Sequence, residues 1–326
     1  MKGIKKILSV SKVLVTDPAL LFSLLRNIFF FLANKKILVI ALTEHIGDIV
    51  AAEPIARYLK EKKISAGITW VINKKYKELL LNSPSISRIR TVTSLPEWIL
   101  LKRLFRRVEL VDLHISGKVC EKHGWTLINL NSKNISIETY FLKGNLLYCF
   151  SRTAGLDVND KTAPKFYLTA TDSPTPTSRT VVLHTSSNIP EKNWPSSCWD
   201  QLVNDLIDIY NPRKIIEIGF TSRITIQHPL LERFVGRKSL ILIGNLINDC
   251  SLYIGVESGF AHVANALEKQ SIILAGKLPQ FENYMPYSGK FMNEARDIVL
   301  FFDKTLAEMN YNEFRQRFIA LLKNKV

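Results

Sequence analysis

The chain has 326 residues, with 44 Lys and Arg against 29 Asp and Glu, a formal net charge of +15, and 47% hydrophobic and 22% charged residues. That composition excludes a disordered or collagen-like chain, leaves room for two cores of about 150 residues each, and favours anionic partners. Without zinc-finger spacing, an aromatic RNA-binding signature or a helix-turn-helix pattern, the expected partner is a membrane surface or a phosphorylated substrate and not nucleic acid.

Residues 1–35 stand apart. The stretch 19–33 is strongly apolar but carries Arg26 and Asn27 at its middle, so it does not read as a spanning helix. Leu21, Leu24, Leu25, Ile28 and Leu32 fall at helical spacing on one face, and Lys2, Lys5, Lys6, Lys12, Lys35 and Lys36 flank the segment. Two arrangements fit: a basic amphipathic helix lying in an anionic membrane interface, or a helix that packs its apolar stripe on the body of the protein.

From residue 36 strands and helices alternate. Strands are expected at 37–42, 68–72, 86–92 and 108–113, helices at 48–60, 75–81 and 96–107, and 126–131 continues the series. This is the βαβ pattern of a parallel sheet. The helix 96–107 carries Lys102, Arg103, Arg106 and Arg107 on one face, either a solvated surface or a contact for an acceptor phosphate or membrane.

Residues 169–178 are polar and proline-bearing, the best boundary in the chain. A second series follows, with strands at 180–184, 214–219, 239–243, 252–256 and 271–275, a helix near 198–209 and a last helix at 304–323. The expected organisation is therefore 1–35 as an N-terminal segment, 36–168 and 179–303 as two doubly wound α/β domains, 169–178 as linker and 304–326 as a C-terminal helix. Four scattered cysteines, Cys120, Cys149, Cys198 and Cys250, form no C-x-x-C pair, which points to a reducing compartment. No signal-peptide cleavage pattern follows the N-terminal apolar segment, as expected of a cytoplasmic protein.

Three stretches carry candidate chemistry. In the first, an apolar strand at 252–256 runs into Glu257-Ser258-Gly259 and a helix containing His262. In a doubly wound sheet this turn lies at the carboxyl edge of the strands, where free backbone N–H groups at the new helix favour an anion. Glu257 would repel a phosphate, so it suits the hydroxyls of a sugar. The plainer alternative is a structural cap at Ser258 and Gly259 with His262 packed inside. The second is His45-Ile46-Gly47-Asp48, where Gly47 allows a tight turn and Asp48 stands at a helix start as a base or as an ordinary capping residue. The third follows the strand at 180–184, where Thr185, Ser186, Ser187 and Lys192 suit a departing diphosphate. An exposed loop lysine is the plainer reading of Lys192.

Taken in order, these stretches resemble the heptosyltransferase family of bacterial lipopolysaccharide synthesis. Ile46-Gly47-Asp48-Ile49-Val50-Ala51-Ala52-Glu53-Pro54 is similar to its first motif, Lys192-Asn193-Trp194-Pro195 to its K-x-W-P loop, and Glu257-Ser258-Gly259-Phe260-Ala261-His262 to the start of its D-S-G-x-x-H motif. The resemblance implies a GT-B fold, two Rossmann-like domains with the active site in the cleft between them. It also implies inverting, metal- and cofactor-independent transfer of heptose from ADP-heptose to a lipopolysaccharide-type acceptor at the cytoplasmic face of the inner membrane. Asp48 would be the base. Thr185, Ser186, Ser187, Lys192, Gly219, Glu257, Ser258, Gly259 and His262 would hold the donor, and His45, Lys102, Arg103 and Arg106 the acceptor. Three departures stand out: Leu42 where members carry Arg, Thr185-Ser186-Ser187 in place of a glycine-bearing loop, and Glu257 in place of Asp. They keep open a catalytically idle relative that binds nucleotide sugar or membrane. An epimerase on the same fold is disfavoured by the Gly47-Asp48 turn.

Overall fold

The computed structural model describes residues 17–34, 37–62, 67–104, 109–120, 123–130, 132, 134–168, 179–278 and 284–323. The chain divides into two compact units, Met1–Asp160 and Lys161–Val326. The polar stretch 169–178, the lysines of residues 1–16, and Lys35, Lys36 and Arg106 lie outside the described residues.

In the first unit β1 (Leu38–Ala41) and β2 (Ile68–Asn73) are buried along their whole length, as continuous apolar runs are when a parallel strand is covered on both faces. With β3 (Arg88–Val92) and β4 (Glu109–Asp112) they form a parallel sheet in the order β3-β2-β1-β4. The helices are α1 (Pro18–Ala33), α2 (Ile46–Lys62), α3 (Leu95–Leu101) and α4 (Leu146–Thr153). Val39, Ala41 and Val71 meet Leu24 and Phe31 of α1 and Leu95, Trp98 and Leu101 of α3 in one apolar core.

The first helix packs on the body of the unit, but not through the apolar stripe expected of it. Its inward face is Leu20, Ser23, Leu24, Asn27 and Phe31. The polar members of that face are satisfied by one buried carboxylate: Ser23 Oγ and Asn27 Nδ2 donate to Glu97 Oε1 at 2.7 and 2.9 Å, while Thr93 N and Oγ1 donate to Oε2. Of the expected stripe only Leu24 is buried; Leu21, Leu25 and Leu32 are exposed, together with Phe22 and Phe29.

Two further expectations are corrected in this unit. The helix expected over 96–107 ends at Leu101 and continues as a single tight turn over Lys102–Leu104. Of the expected stretch 126–131, the described residues add no strand to the main sheet: Trp125–Thr126 (β6) pairs with Val119–Cys120 (β5) in a small antiparallel hairpin. Beyond it, the Asn129 amide bonds to the carbonyls of Asp112 and His114, taking the place of a ladder.

The second unit carries β7 (Thr180–His184), β8 (Lys214–Gly219), β9 (Leu231–Val235), β10 (Leu252–Val256), β11 (Ser271–Ala275) and β12 (Val299–Phe301). All pair in parallel, in the order β12-β11-β10-β7-β8-β9. This is the Rossmann order, and its winding reverses between the adjacent strands β7 and β10, the point where such sheets bind ligands. Its longer helices are α5 (Ser196–Asp205), α6 (Leu240–Asp249), α7 (Gly259–Ala266) and α8 (Tyr311–Lys323).

The strand expected at 239–243 is instead the start of α6, and β9, eight residues earlier, was not anticipated. Ser239 caps that helix through Leu242 N, and Ile243, Gly244 and Ile247 turn inward at helical spacing. A short apolar run fits either element, whereas β9 at the sheet edge is only partly buried and carries Glu232 and Arg233. The last helix starts at Tyr311 rather than 304, and its Phe314, Phe318 and Leu322 enter the core beside Trp194 and Trp199.

Candidate functional site

In the second unit the loops that leave β7 and β10 open side by side, because Gly255 pairs in register with His184. Ser258 takes the extended backbone of an N-cap (φ −167°, ψ 178°), yet its side chain makes no capping bond. The hydroxyl instead meets His184 Nδ1 at 3.0 Å. The sequence reading of Ser258 as a side-chain cap is corrected on this point, and the first N–H groups of α7 carry no side-chain cap from it. Burial holds His184 down to about 4, so it stays neutral and can accept from Ser258.

Lys192 and Glu257 form a hydrogen-bonded ion pair. Each is partly exposed, at 17% and 21% of its side chain, so a ligand can reach both. Burial alone would raise the Glu257 carboxyl, but the charge and hydrogen bond of Lys192 together hold it below the usual range. The sequence reading gave these two residues to separate groups of the donor; in the protein alone they neutralise each other.

Lys192 is positioned by its neighbours. It ends a tight turn, Pro190–Lys192, and Trp194 two residues on is fully buried, with Nε1 donating to the Met309 carbonyl at 2.9 Å and the ring edge-on to Trp199. The Asn193 side chain closes the loop by accepting from Ser187 N and donating to Ser187 O. The Lys-x-Trp-Pro sequence is thus an anchored arm with the ammonium at its tip.

The hydroxyls of Thr185, Ser186 and Ser187 have partners of their own. Thr185 Oγ1 donates to Glu217 Oε1 at 2.8 Å, Ser186 Oγ to the Thr221 carbonyl, and Ser187 Oγ accepts from Ile189 N. Glu217, which sequence reasoning missed, organises this edge: fully buried, it also receives Ser222 Oγ and the Arg223 and Ile224 amides. Its signal was a lone carboxylate inside the apolar strand β8. Gly219 has φ +134°, and a Cβ there would come within 3.3–3.4 Å of the His184 ring and Ser186 Oγ, so glycine keeps this edge open.

His262 is buried on α7 with its ring 4.6 Å from that of Tyr287. Burial lowers it to about 4, against a smaller upward pull from Glu257. Both buried histidines are therefore neutral when folded and would bind a proton more readily when unfolded. Stability is expected to fall as pH drops from about 6.5 to about 4, by on the order of 3 kcal/mol per histidine at most. Thermal midpoints between pH 7 and pH 4 check this; a flat profile would show that the folded state takes up these protons without cost.

In the first unit the turn Leu42–His45 leads from β1 into α2, and His45 makes it with a left-handed backbone, φ +63°. Asp48 lies in the first turn of α2. Burial raises its carboxyl, Glu44 pushes the same way, and Lys118 and His45 pull against them. Lys118 Nζ reaches Glu44 Oε2 at 2.7 Å, and burial with the two carboxylates raises the Tyr76 hydroxyl. The charges of Glu44 and Lys118 thus act on Asp48, and Tyr76 feels both carboxylates; neither Tyr76 nor Lys118 was singled out in the sequence. Lys118 leaves a loop after β4, which lies beside β1, so only the strand order brings it to Asp48.

Other expected acceptor residues are placed differently. Lys102 Nζ is held by Asp112 Oδ2 at 2.7 Å and the Ile128 carbonyl at 2.8 Å. Asp112 Oδ1 bonds His114 Nδ1 at 2.6 Å, and His114 Nε2 receives the Thr43 amide at 3.1 Å, tying β4 to β1. Arg103 is exposed, and Leu42 is buried with its carbonyl accepting from Trp70 Nε1. Among the described residues, no group of three His, Cys, Asp or Glu is arranged to hold a metal ion.

Two units, each a parallel sheet of Rossmann type, define a GT-B fold of the kind found in glycosyltransferases. Solved structures bear this out over most of the chain. The glycosyl transferase family 9 protein from Veillonella parvula is 15% identical, with a TM-score of 0.60 over 89% of this chain and 97% of that one. E. coli heptosyltransferase WaaC with ADP is 14% identical, TM-score 0.59, over 88% and 99%. E. coli ADP-heptose LPS heptosyltransferase II is 17% identical, TM-score 0.59, over 89% and 99%. No family model and no curated protein matches the chain. At these identities the likeness is one of fold: the chain has a heptosyltransferase-like architecture.

Proposed function

We propose that the chain is an inverting, metal-independent glycosyltransferase that moves a heptose from ADP-heptose to a lipopolysaccharide-type saccharide acceptor. The observation that carries this reading is the Lys192–Glu257 pair, partly exposed at the winding reversal of the second sheet beside the start of α7. A cation and a carboxylate so placed can divide a nucleotide-diphosphate sugar between them. Lys192 and the α7 amides take the diphosphate, and Glu257 takes sugar hydroxyls. The nucleotide and sugar are suggested by the neighbours, one solved with ADP and another named for ADP-heptose.

In this reading Asp48 removes the proton of the attacking acceptor hydroxyl, its raised affinity for protons matching a base that works near neutrality. The acceptor oxygen forms its bond to the anomeric carbon as the bond to the diphosphate breaks, and the leaving charge falls on Lys192. Lys118 opposes the rise at Asp48, so Lys118→Met is expected to move the acid limb of the pH–rate profile upward; an unmoved limb would take Lys118 out of that environment. A catalytically weak binder of nucleotide sugars is the second reading, favoured by the buried Leu42 and by the pairing of Glu257 with Lys192. A thermal-shift screen of nucleotide sugars tests what both share: a ligand at a hundred times its Kd adds about 2.7 kcal/mol. If no nucleotide sugar raises the midpoint, both fail.

A further inference from the structure

The outward face of α1 is apolar. Phe22 and Phe29 are 72% and 70% exposed, Leu32 62%, Leu25 45% and Leu21 38%. At about 100° per residue, these five fall within one arc opposite Leu20, Ser23, Asn27 and Phe31, which hold the helix to the unit. Among the described residues nothing in the first unit covers them, and the polar seam to Glu97 fixes which way the helix faces. A soluble surface seldom presents such a run of large apolar side chains on one helix.

We propose that this face is a docking surface for an anionic lipid bilayer, in which Phe22, Leu25, Phe29 and Leu32 sink below the headgroups while α1 stays attached to the first unit. Charge selects this occupant. Arg26 and Arg88 are exposed on one flank of the stripe; Arg88 and Arg90 lie 6.0 and 4.2 Å from the Phe30 ring. Arg88 also donates to Asn34 at the helix end. In the sequence, six lysines precede or follow the helix within residues 1–36, and the chain carries +15 overall. Two copies meeting through this face would set these charges against each other, whereas acidic headgroups would neutralise them. No described helix is long and apolar enough to cross a membrane, so the contact is one of lying on the surface. The proposal does not depend on the sugar-transfer reading and is tested without donor or acceptor.

The test is sedimentation of the full chain with phosphatidylcholine vesicles that contain or lack phosphatidylglycerol. Truncation is unsuitable, because Leu20, Leu24 and Phe31 belong to the core; Phe22→Ser with Phe29→Ser changes only exposed positions. The native protein is expected to bind the anionic vesicles at least tenfold more tightly than the neutral ones. The double variant should bind them at least tenfold more weakly than the native protein, with an unchanged thermal midpoint. Leu32→Gln is an independent variant on the same face and should weaken binding in the same direction. Absence of native binding, or equal binding by the variants, would overturn the proposal. So would a native dimer that the double variant dissociates, which would make a second copy the occupant.

Discussion

Asp48→Asn is expected to lower turnover by about 10²–10⁴ while leaving donor affinity and thermal stability nearly unchanged, because the substitution keeps the shape of the side chain and removes only its capacity to take a proton. Donor binding should survive because the residues proposed to grip the donor belong to the second unit, whereas Asp48 belongs to the first. The surviving slow rate should also lose the acid limb that the raised Asp48 carboxyl imposes. Near-normal turnover in the asparagine variant, with the limb intact, would remove Asp48 as the base and leave Glu44 or Tyr76 to be tested in its place.

The second large effect concerns Glu257. Lys192 neutralises this carboxylate in the protein alone, so Glu257→Ala does two opposite things. It removes a partner for sugar hydroxyls, and it frees the ammonium for the diphosphate. Binding of ADP-heptose should therefore weaken ten- to a hundredfold, the worth of a hydrogen bond to a charged group at about 1.5–3 kcal/mol. Binding of ADP should be unchanged or tighter. Calorimetry with both ligands separates the outcomes: equal losses would put Glu257 on the nucleotide they share, and no loss for either would confine it to holding Lys192.

Much of this architecture is legible in local sequence. The runs Thr180–His184 and Leu252–Val256 become strands because each is a short run with an apolar, largely β-branched or aromatic centre closed by turn-forming or polar residues, and both are wholly buried. The strand-to-helix turn after β1 is also local, but His45 makes it with its left-handed backbone, and Gly47, expected to do so, lies inside α2. What could not be read are relations set by topology. Lys192 and Glu257 are 65 residues apart and meet because β7 and β10 are neighbours. Lys118 reaches Glu44 and influences Asp48 because β4 lies against β1. The α6 run at Leu240–Ile243 was ambiguous for a different reason: four apolar residues in succession carry no period, and only the inward turn of Ile247 decides for a helix. The first helix was ambiguous because its buried side is partly polar. Nothing local places Ser23 and Asn27 on the inward face; Glu97, 70 residues beyond Asn27, supplies their partner.

The most direct measurement is transfer itself. The full chain, incubated with ADP-heptose and lipopolysaccharide lacking its heptoses, should release ADP in step with a mass gain of one heptose on the acceptor, and Asp48→Asn should suppress both together. ADP-heptose that binds and raises the thermal midpoint but yields neither ADP nor a heavier acceptor would contradict transfer to this acceptor class and leave the nucleotide-sugar-binding reading in its place.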